Sequence, residues 1–385
     1  GWGDAAVIVP WKLYLATGDI GILEKNYDMM RAWVEYQSRA DRQFDGVRTV
    51  DGEQMPDCSD ISSGNFIQIQ QSRGDHLTFD ASTPFILTAT AYAAYVAGLL
   101  ARTAELLGKT DDAKRYTERY ENVKRAFNEA WVCEDGSLAY WGEMSKPEPD
   151  SFGNIINRTR YAEGEDKTKR PSQTAYALAL DFDLIPEEKR DMTAKCLRRA
   201  VAGRDNRLSV GFLGIEHLVP ALCKSGDYDM AFSLLEQTGF PGWLYSVRNG
   251  ATTIWERWNS YIAETGTFGE VSMNSFNHYA YGAIGEWLYD TVAGISTSDE
   301  RGCTGYKQIV LKPHIGGKLT YAEGWHETPY GRVSSSWRFE NGRTVYNCEI
   351  PPNTTAKLYL PWHNLQEKNQ TVINLGSGSY EFMEE

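Results

Sequence analysis

The sequence predicts a mainly α-helical chain, a toroid of paired helices followed by a small antiparallel β-sandwich. Three observations carry that reading. Apolar residues recur at helical spacing through most of the first 290 or so residues. The connections between those stretches alternate short and long, as in a helical toroid with one tight rim and one rim of elaborate loops. After Gly305 the apolar period changes to two.

Ala5–Thr17 is apolar at helical spacing and stops at Gly18. Tyr27–Arg42 follows, with Met29, Met30, Trp33, Val34 and Tyr36. Gly46–Ala81 is polar and without period, and connections of that length tend to be functional or disordered. Ala81–Leu107 predicts a long helix ended by Gly108, and Thr110-Asp111 opens another that runs through Trp131. A second long loop, with Pro147 and Pro149, reaches Arg170. Ser172–Phe182 resumes the helices with Ser172 as N-cap, and Pro186 sits where a helix through Arg199 begins. Leu213–Cys223 and Tyr228–Gln237 pair across the turn Lys224-Ser225-Gly226-Asp227, and Asn274–Val292 is expected as the last helix. The total is about nine helices. A closed six-hairpin toroid needs twelve, so the first two or three are expected upstream of Gly1.

Gly294–Gly305 reads as a linker between a helical domain, 1–295, and a β domain, 305–385. Lys307–Leu311, Val333–Phe339, Thr344–Ile350 and Thr355–Leu360 alternate as strands, and Gly376–Phe382 closes the sheet. Asn341-Gly342 is the strongest hairpin signal in the chain.

Composition narrows the partners. The net charge is −13 with no basic block, which argues against nucleic acid and anionic membranes. Twelve Trp and 22 Tyr suit a carbohydrate-active protein. The six cysteines, Cys58, Cys133, Cys196, Cys223, Cys303 and Cys348, are scattered. They form no zinc spacing and no disulfide framework, and read as free thiols. No apolar run reaches membrane length. No motif calls for a metal or another cofactor. The N-terminus lacks a signal-peptide pattern and resembles the middle of a folded domain, so the natural protein is expected to begin before Gly1. The compartment stays open between cytoplasmic and periplasmic or secreted, and so does the oligomeric state.

The stretch Ala251–Ser260, ATTIWERWNS, sets Glu256 among Trp255, Arg257 and Trp258. Tryptophans beside a carboxylate limit its hydration and raise its pKa, while a guanidinium pulls the other way. A carboxylate balanced between these is suited to general acid–base work, and the aromatics give a sugar ring a flat face. On the decapeptide alone, a half-buried helix end with a Glu256–Arg257 ion pair remains an equal alternative.

Further motifs make a resemblance specific. GWGDA at the start, QTAYALAL at Gln173–Leu180, GFLGIEHLVPAL at Gly211–Leu222, GATTIWERWNS at Gly250–Ser260 and SMNSFNHYAYGAIGEWLY at Ser272–Tyr289 resemble the catalytic domain of the α-L-rhamnosidases of glycoside hydrolase family 78. The β-rich tail fits that family's small C-terminal sandwich. The resemblance implies an (α/α)6 barrel and hydrolysis with inversion, removing terminal α-L-rhamnose from glycosides or polysaccharides. Inversion uses one acid and one base, with carboxyl groups about 6.5–9.5 Å apart. By resemblance, Glu256 is the general base. Asp4 is a rhamnose-binding carboxylate, Trp2 packs on the sugar and His278 contacts it, with Asn274 and Asn277 as lesser helpers. Trp255, Trp258 and Arg257 are expected to line the substrate site. An N-cap role for Asp4, a core position for Trp2 and a structural role for His278 are the alternatives that the residues themselves allow.

The sequence departs from the family in three places. Only Gly3 separates Trp2 from Asp4, where the family often has one residue more. A family segment that often reads Gly-Asp-Trp is matched loosely by Gly64-Asn65-Phe66, whose Phe66 could stack on the sugar. Trp141 and Asp75-His76 lie in or near the long loops and could line the cleft, although loop packing is the plainer expectation. The family's general acid is a Glu just upstream of the GWGDA motif, so the acid is expected before residue 1. Asp57, Asp60, Asp75 and Glu143 are the residues to consider if it lies within the chain. Two other readings compete. One is another inverting glycosidase or phosphorylase on a similar toroid, although no phosphate site accompanies Glu256 apart from Arg248 and Arg257. The other is a catalytically incompetent carbohydrate-binding fragment.

Overall fold

The computed structural model describes residues 1–37, 49–50, 53–54, 74–79, 83–139, 172–362 and 372–384. The chain divides into two compact units. One comprises Gly1–Val7 with Asp28–Gly282, the other Ile8–Tyr27 with Ala283–Glu385. Helices α1 (Ala5–Thr17) and α2 (Ile20–Gln37) each cross that division. Helix α2 begins earlier than the periodicity suggests, because Asp19 Oδ1 accepts from Gly21 N at 2.9 Å and starts a turn directly after Gly18.

In the first unit, α3 (Phe85–Leu106) and α4 (Thr110–Trp131) form a hairpin around left-handed Gly108. Helix α4 is amphipathic, burying Val123, Ala126, Phe127 and Trp131 and carrying Asp111 and Asp112 in its first turn, where the helix dipole favours them. Helix α5 (Gln173–Asp181) is different: every residue from Gln173 to Leu180 is buried, which marks an inner helix. Ser172 caps it, its side chain accepting from Ala175 N at 3.2 Å. Helix α6 (Glu187–Ala202) buries one face through Ala194, Leu197, Ala200 and Val201. Helix α7 (Phe212–Lys224) packs on α5, and α8 (Tyr228–Leu235) returns from it. A short helix, α9 (Trp243–Arg248), precedes the WERW stretch and has no signal in the apolar period.

The starts of α3, α5 and α7 lie together. Thr83 Oγ1 and Ser172 Oγ are 2.7 Å apart, and Asp75 joins Thr174 to the first turn of α7. The far ends are joined separately, by Asp181 with His217 and Lys224. Connections at those far ends are short, while the long ones reach the starts. The elaborate rim is therefore the one at which α3, α5 and α7 begin. Two short antiparallel pairs belong to this unit: β1 (Thr49–Val50) with β2 (Glu53–Gln54), and β3 (Tyr261–Ile262) with β4 (Thr267–Phe268).

The second unit holds two four-stranded sheets. One is ordered β11 (Val372–Leu375), β10 (Thr355–Tyr359), β6 (Gln308–Leu311), β5 (Ile295–Thr297). The other is β12 (Gly378–Met383), β9 (Arg343–Ile350), β8 (Gly331–Glu340), β7 (Tyr321–Thr328). All pairs are antiparallel except β10 with β6, which is parallel. Asn341 and Gly342 turn β8 into β9, both with positive φ (51° and 81°), as a two-residue hairpin requires. Ile309, Leu311, Ala356, Leu358, Val333, Trp337, Tyr346 and Ile350 are buried. Among the described residues, no helix is long and apolar enough to cross a membrane.

Two expectations need correction, and one strand has no counterpart in the sequence reading. The last helix does not begin at Asn274. Residues 274–279 are non-helical, a 3-10 turn spans Ala280–Ala283, α10 covers Ile284–Trp287, and a π-helical stretch runs Leu288–Ala293. The cause is the pairing of Ser275 and His278 backbone groups with residues 254–256, which withdraws that segment from helix formation. The expected linker contains β5, paired with β6 from Ile295 to Thr297. Strand β7 escapes the alternation because its inward positions include Ala322, Gly324 and Thr328 rather than large apolar residues. Gly324 has a reason: a Cβ there would lie 2.7 Å from Ala293 Cβ.

Candidate active site

The WERW stretch is a loop pinned along its length. Glu256 N donates to Ser275 O at 2.9 Å and His278 N to Ile254 O at 2.8 Å. Asn274 Nδ2 donates to Ser260 O at 3.0 Å. Its two tryptophans anchor it inward. Trp255 is only 7% exposed and meets Phe276 edge-on; Trp258 is 4% exposed. Trp258 stacks on Tyr281 with centroids 3.9 Å apart, meets Trp243 edge-on, and donates Nε1–H to Val210 O at 2.9 Å. Both tryptophans hold the loop from beneath, whereas an open platform for a sugar was expected of them.

Glu256 lies between them, half-buried. Ser275 N donates to its Oε2 at 2.7 Å, which fixes the carboxylate. Among the described residues no donor engages Oε1. The ion pair with Arg257 does not form: that guanidinium donates to Asn259 Oδ1 at 3.3 Å and to Met273 O at 3.4 Å. Arg257 thus braces the loop.

His278 sits between rings. Phe212 stacks on one side with centroids 5.0 Å apart and 26° between planes, and Tyr279 on the other at 5.0 Å and 13°. Ala280 N donates to its Nδ1 at 3.2 Å, so in the neutral ring the proton is on Nε2, which can donate. His278 precedes the last helix and does not open it.

The N-terminal residues reach the same aromatic group. Trp2, 39% exposed, lies edge-on to His76 and tilted against Phe212, and donates Nε1–H to Gly74 O at 3.2 Å. Phe212 in turn meets His278 and Tyr281. Trp2, His76, Phe212, His278 and Tyr281 therefore form a continuous set of rings that leads to Trp258 under Glu256. Asp4 is 1% exposed. Its Oδ1 accepts from Trp33 Nε1 at 2.9 Å and Gln37 Nε2 at 2.8 Å, and Oδ2 lies 2.6 Å from the Gly1 nitrogen. Gly3 between Trp2 and Asp4 is needed, because a Cβ there would lie 2.2 Å from Trp33 Cη2.

The residues 74–79 hold the group that sequence reasoning undervalued. Asp75 is buried and accepts four hydrogen bonds. Oδ1 takes Leu213 N at 2.8 Å and Gly214 N at 2.9 Å; Oδ2 takes Gly211 N at 2.9 Å and the Thr174 hydroxyl. Burial pushes its carboxyl above the ordinary value, against those four bonds, which favour the ionised form. Gly64-Asn65-Phe66, Trp141, Asp57, Asp60 and Glu143 lie outside the described residues. Within them, a Gly-Asp pair followed by an aromatic ring occurs at Gly74-Asp75-His76, as it also does at Gly226-Asp227-Tyr228 on the far side of α7. The signal that could have found Asp75 is the paired glycines Gly211 and Gly214. At Gly211 a Cβ would lie 2.2 Å from His76 O, and at Gly214 2.3 Å from Thr174 Oγ1. Among the described residues no cluster of three or more His, Cys, Asp or Glu converges as a metal site.

The arrangement offers one fixed, half-buried carboxylate whose Oε1 has no donor among the described residues, an imidazole whose Nδ1 is engaged, and a wall of rings. That is what a general base needs beside a sugar-binding surface.

Comparison with known proteins agrees in kind. Residues 1–292 match the model of the bacterial alpha-L-rhamnosidase 6 hairpin glycosidase domain, and residues 294–372 match the bacterial alpha-L-rhamnosidase C-terminal domain. An alpha-L-rhamnosidase of Formosa agariphila is 37% identical over 378 residues, 97% of this chain and 35% of its own length. One of Streptomyces avermitilis is 36% identical over 395 residues, 99% of this chain and 32% of its own. The crystal structure of the Streptomyces avermitilis alpha-L-rhamnosidase complexed with L-rhamnose superposes with a TM-score of 0.80 at 34% identity, covering 100% of this chain and 33% of that one. The alpha-L-rhamnosidase of Aspergillus terreus gives 0.78 at 30% identity, covering 99% and 38%. The chain thus spans about a third of the length of these relatives. With its helical region and its β domain both matched along nearly their whole extent, the chain belongs to the bacterial α-L-rhamnosidase six-hairpin glycosidase family.

Proposed function

We propose that the protein carrying this chain removes terminal α-L-rhamnose from glycosides or polysaccharides with inversion, and that Glu256 is its general base. The observation that carries this is the state of the Glu256 carboxylate: Oε2 is fixed by Ser275 N–H while Oε1 has no donor among the described residues. A water on that oxygen loses its proton to Glu256 as its own oxygen bonds the anomeric carbon. The bond from that carbon to the leaving oxygen breaks on the opposite face, and a separate acid protonates the leaving oxygen. No residue of this chain is assigned to that acid. Trp2 and Phe212 offer faces to the sugar's apolar side, and the Nε2–H of His278 donates to a hydroxyl. Asp4, held by Trp33 and Gln37, adds a fixed negative charge that favours the oxocarbenium-like transition state.

The test is Glu256→Gln in the natural enzyme, assayed on an aryl α-L-rhamnoside. The rate is expected to fall by about 10²–10⁴-fold, the usual loss of a general base, with rhamnose binding weakened far less. A variant that keeps more than about a tenth of the parent rate removes Glu256 from the role.

A further inference from the structure

We propose that Asp75 is a positioning residue for the sugar site: it clamps residues 74–79 onto the start of α7, and through that segment sets the aromatic wall that holds the sugar. The proposal rests on the rhamnosidase reading above.

The clamp needs a carboxylate. Four donors converge on it, three backbone N–H groups from the first turn of α7 and one hydroxyl from α5. An ionised carboxylate accepts at both oxygens, and a helix N-terminus favours its charge. An amide at the same place offers one accepting oxygen and turns N–H against N–H.

The clamped segment delivers three carbonyls, each to an aromatic residue of the site. Gly74 O accepts from Trp2 Nε1 at 3.2 Å, His76 O from Phe212 N at 2.9 Å, and Leu77 O from Tyr281 OH at 2.7 Å. The His76 ring itself lies edge-on to Trp2 and Phe212. Leu77 stands at φ 59°, a left-handed conformation that a branched side chain adopts only where its surroundings enforce it. Gly211 and Gly214 leave the room: side chains there would collide with the segment's carbonyls and with Thr174.

Glu256 is oriented by a different set of contacts, those with Ser275. Loosening the clamp should therefore weaken sugar binding first, through the rings that the segment sets. L-Rhamnose is titrated calorimetrically into the natural enzyme, its Asp75→Asn variant and its milder Thr174→Val variant. The His76 and His278 ring-proton signals are recorded for all three. The expected result is an affinity loss of about tenfold or more for Asp75→Asn, the size of unpaired buried donors, and a smaller loss for Thr174→Val. Both variants should unfold cooperatively and show displaced His76 and His278 signals, because the rings around them have moved. If both bind rhamnose like the parent with unmoved ring signals, Asp75 positions nothing and the proposal is overturned. Should Asp75→Asn not fold, Thr174→Val decides by the same two measurements. A parent enzyme that fails to bind rhamnose counts against the rhamnosidase reading, and the ring signals alone then decide whether the clamp sets the wall.

Discussion

The two ends of α5 and α7 hold their carboxylates in opposite ways. At the helix starts, Asp75 is bound by neutral donors, backbone N–H groups and a hydroxyl. At the far ends, Asp181 is bound by side chains that carry or can carry positive charge: His217 Nδ1 at 2.6 Å and Lys224 Nζ at 2.9 Å. Asp181 closes α5, where the helix dipole disfavours a negative charge, so cationic partners have to offset it. Burial pushes Asp181 up, but the His217 bond and the charges of His217 and Lys224 outweigh it and hold its carboxyl below the ordinary value. Burial instead leaves Asp75 above its ordinary value. One end uses a carboxylate to fix backbone carbonyls in place, the other to tie helices together. Helix N-termini leave N–H groups that can orient an anion without a competing counter-charge, and that is how the first end holds Asp75.

The largest expected effect comes from Gly211→Ala, which would press a methyl against the His76 and Asp75 carbonyls. Because both obstacles are backbone, a loss of about 3 kcal/mol is expected in denaturant unfolding, together with lost rhamnose binding. An unchanged midpoint would mean that the segment does not rest on α7. Asp181→Asn is next, at about 2 kcal/mol at pH 7, with sugar affinity kept. Its folded pKa is depressed, so its contribution is complete above the unfolded value near 3.9 and is lost as pH falls through the folded value. The gap between parent and variant should narrow below about pH 4; a gap that widens there would reverse the comparison. Trp2→Phe removes the bond to Gly74 and should cost about 1 kcal/mol of rhamnose binding, read by calorimetry. The smallest is Lys224→Met, about 0.5 kcal/mol, because its ammonium is half-exposed and water competes for it.

Much of this was legible in the sequence. Apolar spacing located α1, α4, α7 and α8 within a residue or two, and Ser172 caps α5 as its type suggests. Asn341-Gly342 turns where it should. What failed to show was set by contacts distant in the chain. Residues 274–279 have helical spacing, but the WERW loop takes their backbone bonds. Trp255 and Trp258 look like sugar platforms, yet nothing local tells whether an indole faces solvent or the core. Asp75 and Thr174 are 99 residues apart, and neither looks unusual alone. Glu256 stands out in the sequence as a candidate base because its immediate neighbours carry the motif.

The central claim is that Glu256, set on the rim at which α3, α5 and α7 begin, activates the attacking water. The most direct measurement replaces Glu256 with Ala in the natural enzyme and supplies azide with an activated aryl α-L-rhamnoside. Azide needs no base and can enter the space that the side chain leaves. The account predicts a rate lowered by about 10²–10⁴-fold, partly restored by azide, with β-L-rhamnosyl azide, the inverted anomer, as product. An undiminished rate, or an α-configured azide from a retained intermediate, would contradict it.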